Sequence, residues 1–273
     1  MSEPCVATFE AVPAGVSLLE RHESLAASSA TLPEGAYTTL RSYGGRGVVR
    51  LAQHLERLEE SAALKGKPGQ IDPAAARRAL AAAIVAAGHA ESRVRLTFAP
   101  PRLFVAVEPF SALPARLYED GVACVSLAVH RDNPHAKDTR FIATAQAAYG
   151  RLPKGVEEGL LVAEDGAVLE GLSSNFFAIR DGVLRTEEAR VLAGVTRALA
   201  IEVAEPLLPL RRVAVLRDEL PLVAEAFVTS VSREVLPVVG IDGRPVGDGR
   251  VGPMTRAIMN AFAALVARER ETL

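Results

Sequence analysis

Gly159–Arg185 reads GLLVAEDGAVLEGLSSNFFAIRDGVLR, apolar runs cut twice by an acidic-glycine pair. Asp-Gly readily adopts the positive φ angles that a tight antiparallel turn needs. The stretch therefore predicts two hairpins. Gly159–Ala163 pairs with Ala167–Leu169 across Glu164-Asp165-Gly166, and Phe176–Arg180 pairs with Val183–Arg185 across Asp181-Gly182. A doubly wound parallel sheet would need a helical crossover between such strands. Hairpins this frequent point instead to an α+β, or mixed α/β, fold.

Toward the N-terminus, Gly35–Tyr43 (GAYTTLRSY) is rich in aromatic and β-branched residues and predicts a strand. Gly44-Gly45 is a turn, and Val48–Arg50 resumes extended structure. From Ala52 the apolar spacing becomes helical: Leu51, Leu55, Leu58, Ala62 and Leu64 line roughly one face until Lys65-Gly66-Lys67-Pro68. Pro73–Ala87 predicts a second helix, closed by Gly88. Arg93–Phe98 and Leu103–Val107 alternate as a hairpin around Pro100-Pro101. Glu108–Pro114 (EPFSALP) reads as a linker, because proline stiffens a connector and resists regular structure. It divides the chain into a small N-terminal α/β domain, 1–110, and a larger C-terminal domain, 111–273. In the second, Gly121–Val129 and Ala226–Ser230 predict strands and Phe141–Tyr149 a helix. Two more helices open near Thr196 and at Pro253.

Composition narrows the partner. The chain has 273 residues, 49% of them hydrophobic, enough for a sizeable core. Its 31 Lys and Arg balance 33 Asp and Glu, for a formal charge of −2, so nothing suggests a nucleic-acid surface. Cys5 and Cys124 are far apart, and His22, His54, His89, His130 and His135 form no H-x-H or H-x-x-x-H pair, so no metal site is expected. The N-terminus shows no signal-peptide pattern and no apolar run has membrane-span length, so a cytoplasmic protein is expected. A small molecule remains the best partner.

Four segments carry candidate chemistry. Gly194-Val195-Thr196-Arg197 opens an Ala/Leu-rich helix, with Thr196 as a good N-cap. Backbone N–H groups and the positive dipole end there favour an anion; the bland alternative is an ordinary capped helix. Glu170-Gly171-Leu172-Ser173-Ser174-Asn175 puts a carboxylate at a strand end before a small, polar turn. Such a turn brings donors close to a ligand, or is simply a polar loop. Lys137 lies in Pro134-His135-Ala136-Lys137-Asp138-Thr139. A lone lysine is usually a surface group, but a buried one is a nucleophile. In His54-Leu55-Glu56-Arg57-Leu58, Arg57 lies among apolar helix positions, where its guanidinium could clamp a phosphate.

The order of these segments is informative. Tyr37-Thr38-Thr39-Leu40-Arg41 precedes His54-x-x-Arg57-Leu58 and Lys137. Next come the Glu170–Asn175 run, Leu192-x-Gly-Val-Thr-Arg197, Glu225-Ala-Phe, Pro237-Val and Gly252-Pro-x-Thr255. This series resembles the fold-type IV (class IV) pyridoxal-phosphate aminotransferases, which include branched-chain and D-amino-acid aminotransferases and aminodeoxychorismate lyases. The resemblance covers about residues 34–265.

The resemblance implies a two-domain enzyme with pyridoxal 5′-phosphate between a small and a larger domain, the larger carrying the cofactor lysine. It identifies Lys137 as the Schiff-base lysine and Glu170 as the carboxylate facing the pyridine nitrogen. It assigns Arg57, Val195 and Thr196 to the phosphate, with Ser174 and Asn175 also on the cofactor. Tyr37 and Arg95 fall on the substrate side. The chain departs from the family at Val231, where a phosphate-site Thr is usual and Ser232 stands nearby. It also carries Phe141 near a usual Tyr, and Tyr37-Thr38-Thr39 in place of Phe-Glu-Gly. The implied activity moves an amino group between an amino acid, of aliphatic or branched-chain type, and a 2-oxo acid. A lyase and a D-amino-acid aminotransferase remain alternatives. A cofactor-binding protein that has lost catalysis is disfavoured, since Lys137 and Glu170 are both kept. The resemblance also implies a homodimer.

Overall fold

The computed structural model describes residues 5–129 and 131–273, so His130 lies outside the described residues. The chain divides into two compact units. The first holds the described part of Met1–Ser111 together with His135–Ala143 and Glu269–Leu273; the second holds Ala112–Pro134 and Thr144–Arg268.

The first unit begins with β1 (Val6–Val12), β2 (Gly15–His22) and α1 (Leu25–Thr31). There follow β3 (Ala36–Arg41), the short β4 (Gly47–Val48), α2 (Leu51–Leu64), α3 (Pro73–Ala87), β5 (Ser92–Ala99) and β6 (Arg102–Pro109). Its main sheet has the order β2-β1-β6-β5-β3, antiparallel throughout. Residues alternate across it. Leu103, Val105 and Val107 of β6 share a core with Leu55 and Leu58 of α2 and Leu80 and Ile84 of α3. Ala106 faces the other way, onto Leu25 of α1 and Val6. Each fully buried leucine, such as Leu58 or Leu80, contributes roughly 1.5–3 kcal/mol of hydrophobic stabilisation.

Helix α3 follows its sequence signals at both ends. Asp72 accepts from Ala74 N at 2.9 Å, Pro73 opens the first turn, and Gly88 closes the helix at φ +72°. Helix α2 is different. Arg50 stands before it in the left-handed region with no side-chain cap, and Leu51 N donates to Glu271 Oε1 at 3.1 Å. Leu64 falls off the apolar stripe and is exposed. The hairpin of β1 and β2 is not legible in the sequence, because Ser17, Leu18, Leu19 and Glu20 of the edge strand are all exposed and show no alternation. Strand β6 also runs further than expected. Glu108 and Pro109, read as linker, still pair with Arg93 and Ser92.

The second unit contains α4 (Arg116–Glu119), β7 (Val122–Leu127), most of α5 (Arg140–Tyr149), β8 (Val156–Val162), β9 (Ala167–Gly171), β10 (Asn175–Arg180) and β11 (Val183–Arg185). It continues with α6 (Val195–Ala204), β12 (Leu210–Arg211), β13 (Val215–Leu216), β14 (Glu225–Ser230), β15 (Glu234–Ile241), β16 (Arg244–Pro245) and α7 (Pro253–Glu269). The terminal β17 (Glu271–Thr272) pairs with β4 in the first unit's own small sheet. The large sheet runs β12-β11-β10-β14-β15-β7-β8-β9-β13, with β16 beside β15. Both expected hairpins form. At the second, Asp181 and Gly182 take φ +51° and +72°, the pair of positive angles a tight hairpin turn requires. The pairs β15–β7 and β7–β8 are parallel, so the fold is mixed α/β. One further pairing, Asn175 with Glu170, joins β9 to β10. It closes β10, β14, β15, β7, β8 and β9 into a ring. The acidic run singled out in the sequence sits at that closure.

Candidate active site

Lys137 is held by its backbone. After the stretch ending at Pro134, the chain returns to the first unit, where Asp138 bridges Ala36 of β3. Tyr37 N donates to Lys137 O at 2.9 Å, and Lys137 N donates to Ser61 Oγ of α2 at 3.2 Å. Thr139 adds two bonds to Gly35 O, from its amide at 3.2 Å and its hydroxyl at 3.1 Å. Lys65, near the end of α2, pairs with Asp138. These bonds place Lys137 with the N-terminal unit, whereas the linker argument put it in residues 111–273. The cause is strand pairing with β3, which chain order does not reveal. Gly35 is required where the chain enters β3 beside β5, since a Cβ there would meet Phe98 O at 2.3 Å.

The Lys137 side chain is half-buried, its Nζ 4.8 Å from the centroid of the Tyr37 ring. Arg95 Cζ lies 4.8 Å from the same ring. Arg95 Nη1 donates to Leu25 O at 2.9 Å and Ser29 Oγ at 2.7 Å. The structure thus ties Arg95 both to α1 and to Tyr37. Burial pushes its guanidinium below the ordinary arginine range.

Arg57 is buried on α2, one turn from buried His54. Both reach Thr38 of β3. Arg57 Nη2 donates to Thr38 Oγ1 at 2.6 Å, and that oxygen lies 2.8 Å from His54 Nδ1. Burial, then the charges of Arg57 and Lys137, push His54 well below its ordinary range, so the imidazole is neutral near pH 7.

In the second unit, Glu170 is buried where β9 meets β10. Its Oε1 accepts from Arg131 Nη1 at 2.9 Å. Its Oε2 accepts from Leu192 N at 3.1 Å and Asn175 Nδ2 at 3.3 Å. Asn175 Nδ2 also donates to Leu192 O at 2.9 Å, which fixes the stretch leading into α6. Gly194 precedes that helix closely against Asn175, and a Cβ on it would meet Asn175 Oδ1 at 2.3 Å. Gly194, not Thr196, is the N-cap; Thr196 is buried within the first turn. No side chain caps the helix, so the orphan N–H groups of its first turn suit an anion. The helix opening at Pro253 does not, since Glu225 accepts from Met254 N at 3.2 Å and Thr255 N at 2.6 Å.

Ser174 and Asn175 direct their side chains at protein partners. Ser174 Oγ donates to Glu158 Oε2 at 2.8 Å. Glu158, fully buried, also accepts from Tyr149 OH and Arg233 Nη1, each at 2.6 Å. Ser232 is half-buried in the turn between β14 and β15, beside Arg233. Sequence reasoning assigned no role to Thr38, which it shows only as part of the Tyr37–Arg41 motif, and marked neither Arg131 nor the cluster of Glu158, Tyr149 and Arg233. Their partners are distant in the chain, and no local spacing marks them. Among the described residues, no cluster of His, Cys, Asp and Glu suits a metal, and no helix is long and apolar enough to cross a membrane.

The family model for amino-transferase class IV matches residues 35–241. The branched-chain-amino-acid aminotransferase of Escherichia coli (strain K12) is 30% identical over 179 residues, 62% of this chain. That match spans 58% of the E. coli enzyme's own length. The D-alanine aminotransferase of Staphylococcus aureus (strain COL) is 42% identical over 98 residues, 35% of each chain. Among solved structures, a branched-chain aminotransferase from Thermoproteus uzoniensis, crystallised with norvaline, superposes with a TM-score of 0.77 at 26% identity, covering 96% of this chain and 95% of that one. A branched-chain amino acid aminotransferase from T.th., solved with pyridoxamine 5′-phosphate, has a TM-score of 0.80 at 23% identity, covering 97% and 95%. The mixed α/β fold is therefore shared over nearly the whole chain.

Proposed function

The chain belongs to the class IV aminotransferase family, and from that premise we propose that it is a pyridoxal 5′-phosphate-dependent aminotransferase. It moves an amino group between an amino acid of aliphatic, branched-chain type and a 2-oxo acid. The start of α6 carries the reading: a buried helical turn after a tightly packed glycine, with no side-chain cap. The residues present fit the cofactor, because the chain holds an anion site, a buried carboxylate and a half-buried lysine in the family's order. When bound, pyridoxal 5′-phosphate supplies the electron sink for the substrate α-carbon.

The chain's own residues do the rest. Arg57 binds the phosphate by charge, and the N–H groups of Val195 and Thr196 bind it through the helix start. Ser232 adds a hydroxyl beside Val231. The Glu170 carboxylate favours a protonated pyridine nitrogen by direct charge attraction. Ser174 and Asn175 orient the turn that carries it. Lys137 Nζ holds the cofactor and moves the proton at the substrate α-carbon. Tyr37 lines the substrate side, and Arg95 supports it there. The same reading makes the protein a cytoplasmic homodimer acting on small molecules, with family membership as its support.

Identity to a D-alanine aminotransferase favours a second reading, a D-amino-acid donor. A panel of both enantiomers of aliphatic amino acids, with pyruvate and 2-oxoglutarate as acceptors, separates the two. Borohydride reduction of the cofactor-loaded protein, followed by peptide mapping, tests the lysine. The adduct is expected on Lys137 and absent in Lys137→Ala. An adduct on exposed Lys154 instead would overturn the assignment.

A further inference from the structure

We propose that Thr38 is the positioning residue that aims Arg57 at the cofactor's phosphate, its hydroxyl standing between Arg57 and His54. The inference rests on the reading of Arg57 given above and assigns a role to a residue outside the anion site itself. Strand β3 alternates, so Ala36, Thr38 and Leu40 are buried. Thr38 has 0% exposure, and water does not compete for its hydroxyl. Arginine can only donate, so Thr38 Oγ1 accepts from Nη2 across 2.6 Å. The same oxygen keeps a lone pair and a proton to share with His54 Nδ1 at 2.8 Å.

The chemistry of the hub matters. A carboxylate beside the guanidinium would neutralise part of the charge meant for a phosphate. A hydroxyl orients the guanidinium and leaves that charge intact. The other neighbour agrees: burial and the charges of Arg57 and Lys137 hold His54 uncharged, so it does not repel Arg57. His54 sits three residues before Arg57 on one helix face, and the hydroxyl joins both to the strand. Tyr37, whose amide holds Lys137 O, is the next residue on that strand. Thr38 thus sets the guanidinium relative to the backbone that carries the lysine.

The test compares pyridoxal 5′-phosphate with pyridoxal, which lacks the phosphate, by equilibrium dialysis and visible absorbance. Thr38→Val keeps shape and β-branching but removes the hydroxyl. It should weaken phosphorylated-cofactor binding roughly threefold to tenfold, the scale of one hydrogen bond, and leave pyridoxal binding unchanged. Thr38→Ser should restore the wild-type ratio of the two affinities. Arg57→Ala should reduce that ratio further. If Arg57→Ala lowers the ratio and Thr38→Val does not, the role of Thr38 is overturned and that of Arg57 stands. If Arg57→Ala leaves the ratio unchanged, the phosphate reading of Arg57 fails first. Equal losses for both ligands in Thr38→Val make Thr38 a packing residue and also overturn the inference. Thr38→Ala is the second variant, judged by the same ratio, should the valine protein not fold.

Discussion

Glu170→Gln exchanges a carboxylate for an amide of the same shape, and its cost follows from the donors around it. One oxygen receives Arg131 Nη1 at 2.9 Å; the other receives Leu192 N at 3.1 Å and Asn175 Nδ2 at 3.3 Å. An amide has one oxygen, so its NH₂ must face one of these two sides. If it faces Leu192, a buried backbone N–H loses its acceptor, at about 1–3 kcal/mol. If it faces Arg131, the guanidinium loses its acceptor instead. In either orientation the carboxylate charge paired with Arg131 is gone, so the loss should be about 3–5 kcal/mol. At about 2–4 °C per kcal/mol for a chain near this size, the thermal midpoint should fall by roughly 6–20 °C. Glu170→Ala should fall further, since it also removes the side-chain acceptors that the amide partly keeps. The proposed phosphate contacts do not involve Glu170, so loading should survive while kcat drops more than KM changes. Thermal melts with and without cofactor, with stopped-flow half-reactions, measure both effects. Wild-type melting together with wild-type turnover in Glu170→Gln would refute the donor count and the pyridine role alike.

Two further outcomes follow from the same geometry. Gly194→Ala drives a Cβ to 2.3 Å from Asn175 Oδ1 and displaces the start of α6, so phosphorylated cofactor should bind at least about tenfold more weakly, by equilibrium dialysis; unchanged affinity would separate α6 from the anion site. His54 titrates well below its ordinary range in the fold, while its unfolded value is near 6.5. The unfolded chain therefore takes up the proton first as pH falls. Stability from this group is full above about pH 6.5, declines on acidification by up to about 1.4 kcal/mol per pH unit, and levels off below the folded value. Urea midpoints from about pH 7.5 to 5 should fall more steeply in wild type than in His54→Gln, and parallel curves would count against a buried neutral imidazole.

What local chemistry decides was readable without coordinates. The Asp181-Gly182 hairpin follows from two residues that tolerate positive φ, and α3 from Asp72, Pro73 and Gly88 at its ends. Arg57 was legible only as a residue beside the leucine stripe of α2, which suits a phosphate clamp or an exposed helix face; the structure buries it. Motif order carried the family. Other features depend on residues brought together only by the chain's return paths. Arg131 meets Glu170 across 39 positions, and Glu225 caps α7 across 30, although nothing in either local stretch marks the pairing. The same limit hid β2, whose residues are exposed at a sheet edge and so carry no buried alternation. It also hid the return of His135–Ala143 to the first unit. Sequence alone determined which residues are suited to turns, caps, a nucleophile and an anion site, because sterics and periodicity act over a few residues. Only the tertiary structure decided what each charged or polar group faces, because a buried donor takes the acceptor that topology places beside it, however far away in the chain.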